Sequence, residues 1–198
     1  MTFRRHTTPI APPWTTGARI AAAVLLTIHA LLAWQFRVPG LSSAADDAAY
    51  LSLARALRSG AYVELWTAGL PAHAMYPPVY PAWLALVGAT GAAQVQLAVA
   101  LNILLSVAAL ALAAVLAGRL SPWLAVAMLA VCAPNPTLLD IAGRIYSEPL
   151  FMALSLAAVL LVTTETPTAR TLALAGAAAL AASLTRSIGV VLVMAVLA

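Results

Sequence analysis

The 198-residue chain is 64% hydrophobic and only 8% charged, against roughly 25% charged in a soluble domain, which excludes an ordinary soluble fold. Its net charge of +4 comes from ten Arg and no Lys, scattered between apolar runs, and that scatter excludes a basic nucleic-acid patch. Cys132 is the sole cysteine, so the chain offers no intrachain disulfide and no Cys-based metal site.

These bounds point to an all-α, polytopic membrane protein. A spanning helix needs about 20 mostly apolar residues, and Arg19 to Phe36 supplies the first, with Arg4, Arg5 and Arg19 ahead of it and Arg37 behind. Ser43-Ala44-Ala45 has the small residues of a signal-cleavage site. The apolar run is longer than the about 7–15 residues of a signal core, so the segment is read as a retained span.

Residues 38–81 form the first loop, most of it a polar island from Ser42 to Pro81. Ser43 precedes Asp46 by a capping-box spacing, with Asp in place of Glu or Gln. A helix fits from Ala44 to about Ser59, with Gly60 as its stop. Tyr50, Leu53, Ala54 and Leu57 share one face, and Asp47, Arg55 and Arg58 another. Such a helix is too short and polar to span and is expected to lie along the membrane surface. Asp46 and Asp47 stand in its first turn, where the helix dipole favours negative charge; capping accounts for one carboxylate better than for two. His73 reads as a solvated loop histidine. Tyr76-Pro77-Pro78-Val79-Tyr80-Pro81 is stiff, because each proline fixes φ and removes a donor, and it leads into a short apolar helix from Ala82 to Val87. At the least this is a helix-entry turn; a sharper reading has Tyr76 and Tyr80 shaping a substrate groove.

The second span runs from about Gln96 to Leu116, and Gly118 to Pro122 turns into a third from Trp123 to Ala133, interrupted by Pro134-Asn135-Pro136. Further apolar runs cover Leu150 to Val162, Thr171 to Leu184, and Ile188 to Ala198, giving about five to six spans in a domain that reads as incomplete. His29 and Asn102 suit interhelical hydrogen bonds. Basic residues near the span ends divide evenly between the two sides, and the N-terminal Arg cluster tips the orientation to a cytoplasmic N-terminus and an extracytoplasmic first loop. Asp46, Asp47, Glu64, Asp140 and Glu148 then fall outside, with only Glu165 inside. Charged groups are expensive beside hydrocarbon and mark a polar cavity. Arg144 and Glu148 have the spacing of an i,i+4 pair, and Arg186 has that of a snorkelling cation. Together, Asp46, Asp47, Arg144, Glu148 and Arg186 are expected to face one outer cavity, with carboxylates as base or metal ligands and guanidinium groups as phosphate clamps.

The ordered set Asp46-Asp47, Tyr50-Leu51-Ser52-Leu53-Ala54, Gly60, Tyr76 to Pro81, Arg144-Ile145-Tyr146-Ser147-Glu148-Pro149-Leu150 and Leu184-Thr185-Arg186-Ser187-Ile188-Gly189 resembles the N-terminal part of the GT-C glycosyltransferases. The likeness is to the protein O-mannosyltransferase and lipid A aminoarabinose transferase type. The family usually has Asp-Glu where Asp46-Asp47 stands, often has Pro where Ser187 stands, and has more spans than this chain. The resemblance implies a GT-C-like helical bundle with an interfacial helix in the first external loop. It also implies sugar transfer from a polyprenyl-phosphate donor at the outer face of the cell membrane. Asp46 would be the catalytic base and Asp47 its assistant, with Arg144, Glu148 and Arg186 at the phosphate. Tyr50, Tyr76 and Tyr80 would contact substrate. A divalent metal, at Asp47 or Glu148, is a further option, since some members use one. If the chain is complete, catalysis calls for a partner subunit, or the protein is a non-catalytic remnant. A small transporter or lipid-binding protein is the alternative class, suggested by the broken helix at Pro134-Asn135-Pro136.

Overall fold

The computed structural model describes residues 13–41 and 46–197. Arg4, Arg5, the Ser43-Ala44-Ala45 site, the Ser43 cap and the start of the expected 44–59 helix lie outside the described residues. Among those described, the chain is helical, with no strand beyond an isolated antiparallel bridge between Val63 and Ala72. The helices in chain order are α1 (Thr16–Gln35), α2 (Asp47–Arg58), α3 (Val79–Leu86), α4 (Val95–Gly118), α5 (Pro122–Cys132), α6 (Pro136–Ala142), α7 (Glu148–Val162), α8 (Ala169–Ser183) and α9 (Val190–Leu197).

The helix starts follow from local chemistry. Thr15 caps α1 by accepting from the Ala18 amide, and Thr168 and Thr171 cap α8 reciprocally. Asn135 caps α6 by accepting from the Thr137 and Leu138 amides. Prolines occupy the first turns of α5, α6 and α7, where the missing amide hydrogen costs no helical bond. α2 ends as the sequence suggests. Gly60 takes φ of 85°, its amide donates to Leu57 O and the Ala61 amide to Ala56 O, which is the Schellman arrangement.

α1, with 20 residues, and α4, lengthened to 27 by the 3₁₀ turn Ala92–Gln94, are long and apolar enough to cross a membrane. α5 and α6 meet at a 76° bend and together make a third candidate span. α7 and α8 have 15 residues each, about 22 Å of helix, which is short of a hydrocarbon core of about 30 Å. Among the described residues, two helices, or three with the bent pair taken as one, are by length and composition able to cross a membrane; the sequence reading expected five to six spans. Ile20, Leu31, Leu104 and Val131 are exposed, as suits side chains facing lipid.

The main helices run alternately between two ends of the bundle. At one end Trp14 meets Gly118, and Arg119 Nη1 donates to Thr163 O and Oγ1. At the other, Arg37 Nε donates to Gln96 Oε1, the Val38 amide to Gly143 O, and the Val79 amide to Leu184 O. α1, α5–α6 and α8 therefore arrive at the end that carries α2 and α3, and α4, α7 and α9 leave from it. Buried alanines such as Ala18, Ala33, Ala98, Ala158, Ala179 and Ala182 lie at the helix contacts, where small side chains let backbones approach in a setting that supplies no hydrophobic drive between helices. The Ala richness thus has a packing role.

Buried polar residues pin the rest. Ala133 O, at the α5–α6 bend, accepts from His29 Nδ1 at 2.9 Å, leaving His29 Nε2 to accept from Ser106 Oγ at 2.8 Å. Asn102 has no solvent exposure. Its Oδ1 accepts from Tyr80 OH, and its Nδ2 donates to Arg144 O and Tyr146 O. Both residues bond between helices, as their positions in the sequence suggest. The core beside Asn102 packs Tyr50, Leu51, Tyr80, Leu84, Val99 and Ile145, seating α2 and α3 on the end of α4.

Candidate active site

An open cleft of about 330 Å³ lies at that end, lined by Asp46, Tyr50, Tyr76, Pro77, Ser147, Thr185, Arg186, Ser187 and Ile188. Its walls come from α2, the proline segment, the α6–α7 link and the turn after α8. Each is placed by local geometry. Asp46 is the residue from which α2 starts. The proline segment is hung on α8 through the Val79–Leu184 backbone bond. The α6–α7 link is held from beneath by Asn102. α8 stops at Ser183, and Thr185 Oγ1 turns back to donate to Ala181 O at 2.7 Å. Gly189 then packs against the α8 backbone so closely that a Cβ would stand 2.6 Å from Ser183 N; this close approach aims Arg186 into the cleft.

The side chains form two connected groups. Asp46 Oδ1 accepts from Tyr76 OH at 2.6 Å, the short length of a charge-assisted bond. That bond pushes the Tyr76 phenol up to about 12, with burial a lesser cause. Opposite, Arg186 forms an ion pair with Glu148, and its Nη1 donates to Ser147 Oγ at 3.3 Å. Tyr50 OH donates to the same Ser147 Oγ at 3.2 Å, and burial raises its phenol above the ordinary range, partly offset by the Ser147 bond. The Tyr50 ring lies 4.9 Å from that of Tyr76 and edge-on to Tyr80, so the aromatic cluster fixes the floor between the two groups. Arg186 Nη1 faces Glu148 and Ser147; its other N–H donors are available to an anion.

The structure therefore brings together Asp46, Tyr50, Tyr76 and Arg186, with Glu148 joined through Arg186. It does not bring in the rest. Tyr80 is fully buried and bonded to Asn102, so it braces the floor and does not face a substrate. Asp47 is buried in the first turn of α2, off the polar face it shared with Arg55 and Arg58 in the sequence reading. Arg144 lies outside the cleft lining, with its Nε donating to Asp140 at 2.7 Å; that bond raises its pKa further, and the Asp47 charge acts on it in the same direction. The expected Arg144–Glu148 pair is thus replaced by Arg144–Asp140 and Arg186–Glu148. The reason is local: residues 143–147 are not helical, so the one-turn spacing from Arg144 to Glu148 is broken, whereas Asp140 sits one turn back at the end of α6.

Among the described residues no group of three or more His, Cys, Asp or Glu is placed to share a metal ion. Glu148 is committed to Arg186. Asp46 is the one carboxylate among the residues lining the cleft, so a divalent ion held there would take its other ligands from water and a substrate phosphate.

Two side chains that join this network escaped the sequence reading. Ser147 joins Tyr50 to Arg186, and its only sequence signal is its place beside Glu148. His73 is buried rather than solvated, its side chain 1% exposed. Its Nε2 accepts from the Tyr76 amide at 2.8 Å, and its Nδ1 meets Glu64 Oε1 at 3.1 Å. Glu64 is lowered by its bonds from Thr67 and His73.

No family model, curated protein or solved structure matches this chain.

Proposed function

We propose that the cleft transfers a sugar from a polyprenyl-phosphate carrier to an acceptor hydroxyl at the extracytoplasmic membrane surface, as the resemblance to GT-C glycosyltransferases implies. The observation that carries this reading is the meeting of Asp46 and Arg186, far apart in sequence, in one cleft at the end of apolar helices. Asp46 takes the acceptor's proton as general base. Tyr76 holds Asp46 Oδ1 and leaves Oδ2 for the acceptor. The acceptor oxygen bonds to the anomeric carbon as the carbon–oxygen bond to phosphate breaks, inverting that centre. The electron pair goes to the phosphate oxygen, and the N–H groups of Arg186 turned away from Glu148 stabilise the charge that develops there. A lipid phosphate is a weak base, so its departure needs no strong general acid. The N-terminus lies in the cytoplasm, which puts the cleft and α2 at the outer surface.

A transporter reading would place the site at the broken helix. One carbonyl at that bend, Ala133 O, already accepts from His29, and the cleft lies at the bundle end instead.

The test is transfer of labelled sugar from polyprenyl-phosphate donors in membranes carrying the protein. Wild type should transfer, and Asp46→Asn should lose about 10²-fold or more, the scale of general-base catalysis. Undiminished transfer by Asp46→Asn would remove Asp46 from the mechanism. Absence of transfer by wild type with every donor would remove the reading itself.

A further inference from the structure

The loop between α2 and α3 contains a histidine that the proposed chemistry does not use. His73 lies among Tyr62, Trp66 and Tyr76, edge-on to the first two and stacked on Tyr76 with ring centroids 5.3 Å apart and planes 18° apart. The titratable groups against it are Glu64, Tyr62 and Tyr76, and Asp46 stands one hydrogen bond beyond Tyr76. A backbone amide only donates, so the 2.8 Å contact from the Tyr76 amide requires Nε2 to carry a lone pair. The ring proton then sits on Nδ1, where Glu64 Oε1 accepts it. The carboxylate selects the tautomer, the tautomer provides the acceptor, and the acceptor fixes the backbone of Tyr76, as a partner on one ring nitrogen dictates the role of the other. Thr67 Oγ1 holds the second Glu64 oxygen at 2.8 Å, and Tyr62 OH donates to Tyr76 O at 2.8 Å. Tyr76 is therefore held at its amide, its carbonyl and its ring face.

We propose that His73, as the neutral Nδ1–H tautomer set by Glu64, is a positioning residue that directs the Tyr76 hydroxyl onto Asp46. It touches neither carbohydrate nor phosphate; it acts through Tyr76. Protonation at Nε2 replaces the acceptor with a donor facing the Tyr76 amide, so the arrangement holds only while the ring is neutral. The consequence for sugar transfer rests on the reading of Asp46 as the base, whereas the geometry stands independently of it.

The experiment is therefore spectroscopic. The protein in lipid nanodiscs is labelled with ¹⁵N-histidine and ¹³Cζ-tyrosine, with assignments from His73→Gln, Tyr76→Phe and Tyr62→Phe. In wild type at neutral pH, His73 should show a protonated Nδ1 and an unprotonated Nε2. The Tyr76 phenol should ionise at about 12. In His73→Leu it should fall toward its ordinary value of about 10, while Tyr62 stays in place. His73→Gln, whose amide can accept from Tyr76 and donate to Glu64, should restore most of the shift. An Nε2–H tautomer in wild type overturns the proposal without any variant. So does an unmoved Tyr76 in His73→Leu, a fall that Tyr62 shares, or a failure of Gln to restore the shift. None of these readouts depends on transfer, so the proposal and the glycosyltransferase reading fail separately.

Discussion

Replacing Asn102 by Leu tests the node on which the cleft rests. The substitution puts an apolar side chain of similar size in place of the amide and removes three hydrogen bonds at a site without solvent, to Tyr80 OH (3.0 Å), Arg144 O (2.7 Å) and Tyr146 O (2.8 Å). Polar contacts between helices in membranes average about 0.6 kcal/mol each, so three amount to about 2 kcal/mol. The groups left behind are a phenol and two carbonyls, and a buried polar group left unsatisfied costs about 1–3 kcal/mol. The expected loss is therefore at least about 2 kcal/mol, a fall of roughly 30-fold or more in the ratio of folded to unfolded protein. Reversible unfolding in bicelles reads it directly, with Tyr80→Phe and the double variant completing a cycle. Tyr80→Phe alone should cost about 0.5–1.5 kcal/mol. The double variant should cost less than the sum, because both remove the same bond. A loss below about 0.5 kcal/mol for Asn102→Leu, or strict additivity of the pair, would refute the role given to this residue.

Other outcomes follow from the same geometry. Tyr76 is raised to about 12 in the folded state from an ordinary value of about 10, so its contribution is complete below the lower value and is lost as pH rises to the upper one; stability measured across that window should fall more steeply in wild type than in Tyr76→Phe. Gly189→Ala places a Cβ 2.6–2.8 Å from the backbone of Ser183 and Ala182 and should cost about 1–3 kcal/mol, as overpacking does. Gly176→Ala in α8 meets nothing within 4 Å and should stabilise by up to about 1 kcal/mol through helix propensity; thermal unfolding of the two compares them. Ser147→Ala removes the atom shared by Tyr50 and Arg186 and should weaken donor binding several-fold with a smaller effect on turnover, read as KM against kcat.

Local features of this fold were legible from composition and spacing. Gly60 was readable as the stop of α2 because a left-handed residue after a helix favours glycine. The proline segment and the breaks around Pro122, Pro136 and Pro149 were readable because proline constrains its own neighbourhood. The amphipathic face of α2 placed Tyr50, Leu53 and Ala54 inward, as found. Partner choice was not legible. Arg144 has an acid one turn away on either side, and only the loss of helix at residues 143–147 decides for Asp140. Glu148 reaches Arg186 only because α7 and α8 pack side by side. His73 was misread because one histidine in a polar loop carries no periodicity; its burial comes from aromatic residues spread from Tyr62 to Tyr76. The lengths of α7 and α8 were not legible, because apolar runs do not by themselves fix where each helix begins and ends.

The backbone bond from Val79 to Leu184 has a consequence for biogenesis. The first loop and α2 leave the ribosome long before the turn that carries Arg186, and during that interval the proline segment has no anchor on α8. Asp46 therefore waits in an unfinished pocket until α8 has been delivered to the bundle, and only then can Arg186 and Glu148 close the opposite wall. The cleft is a late product of synthesis, since the wall formed by Thr185, Arg186, Ser187 and Ile188 is the last of its walls in chain order.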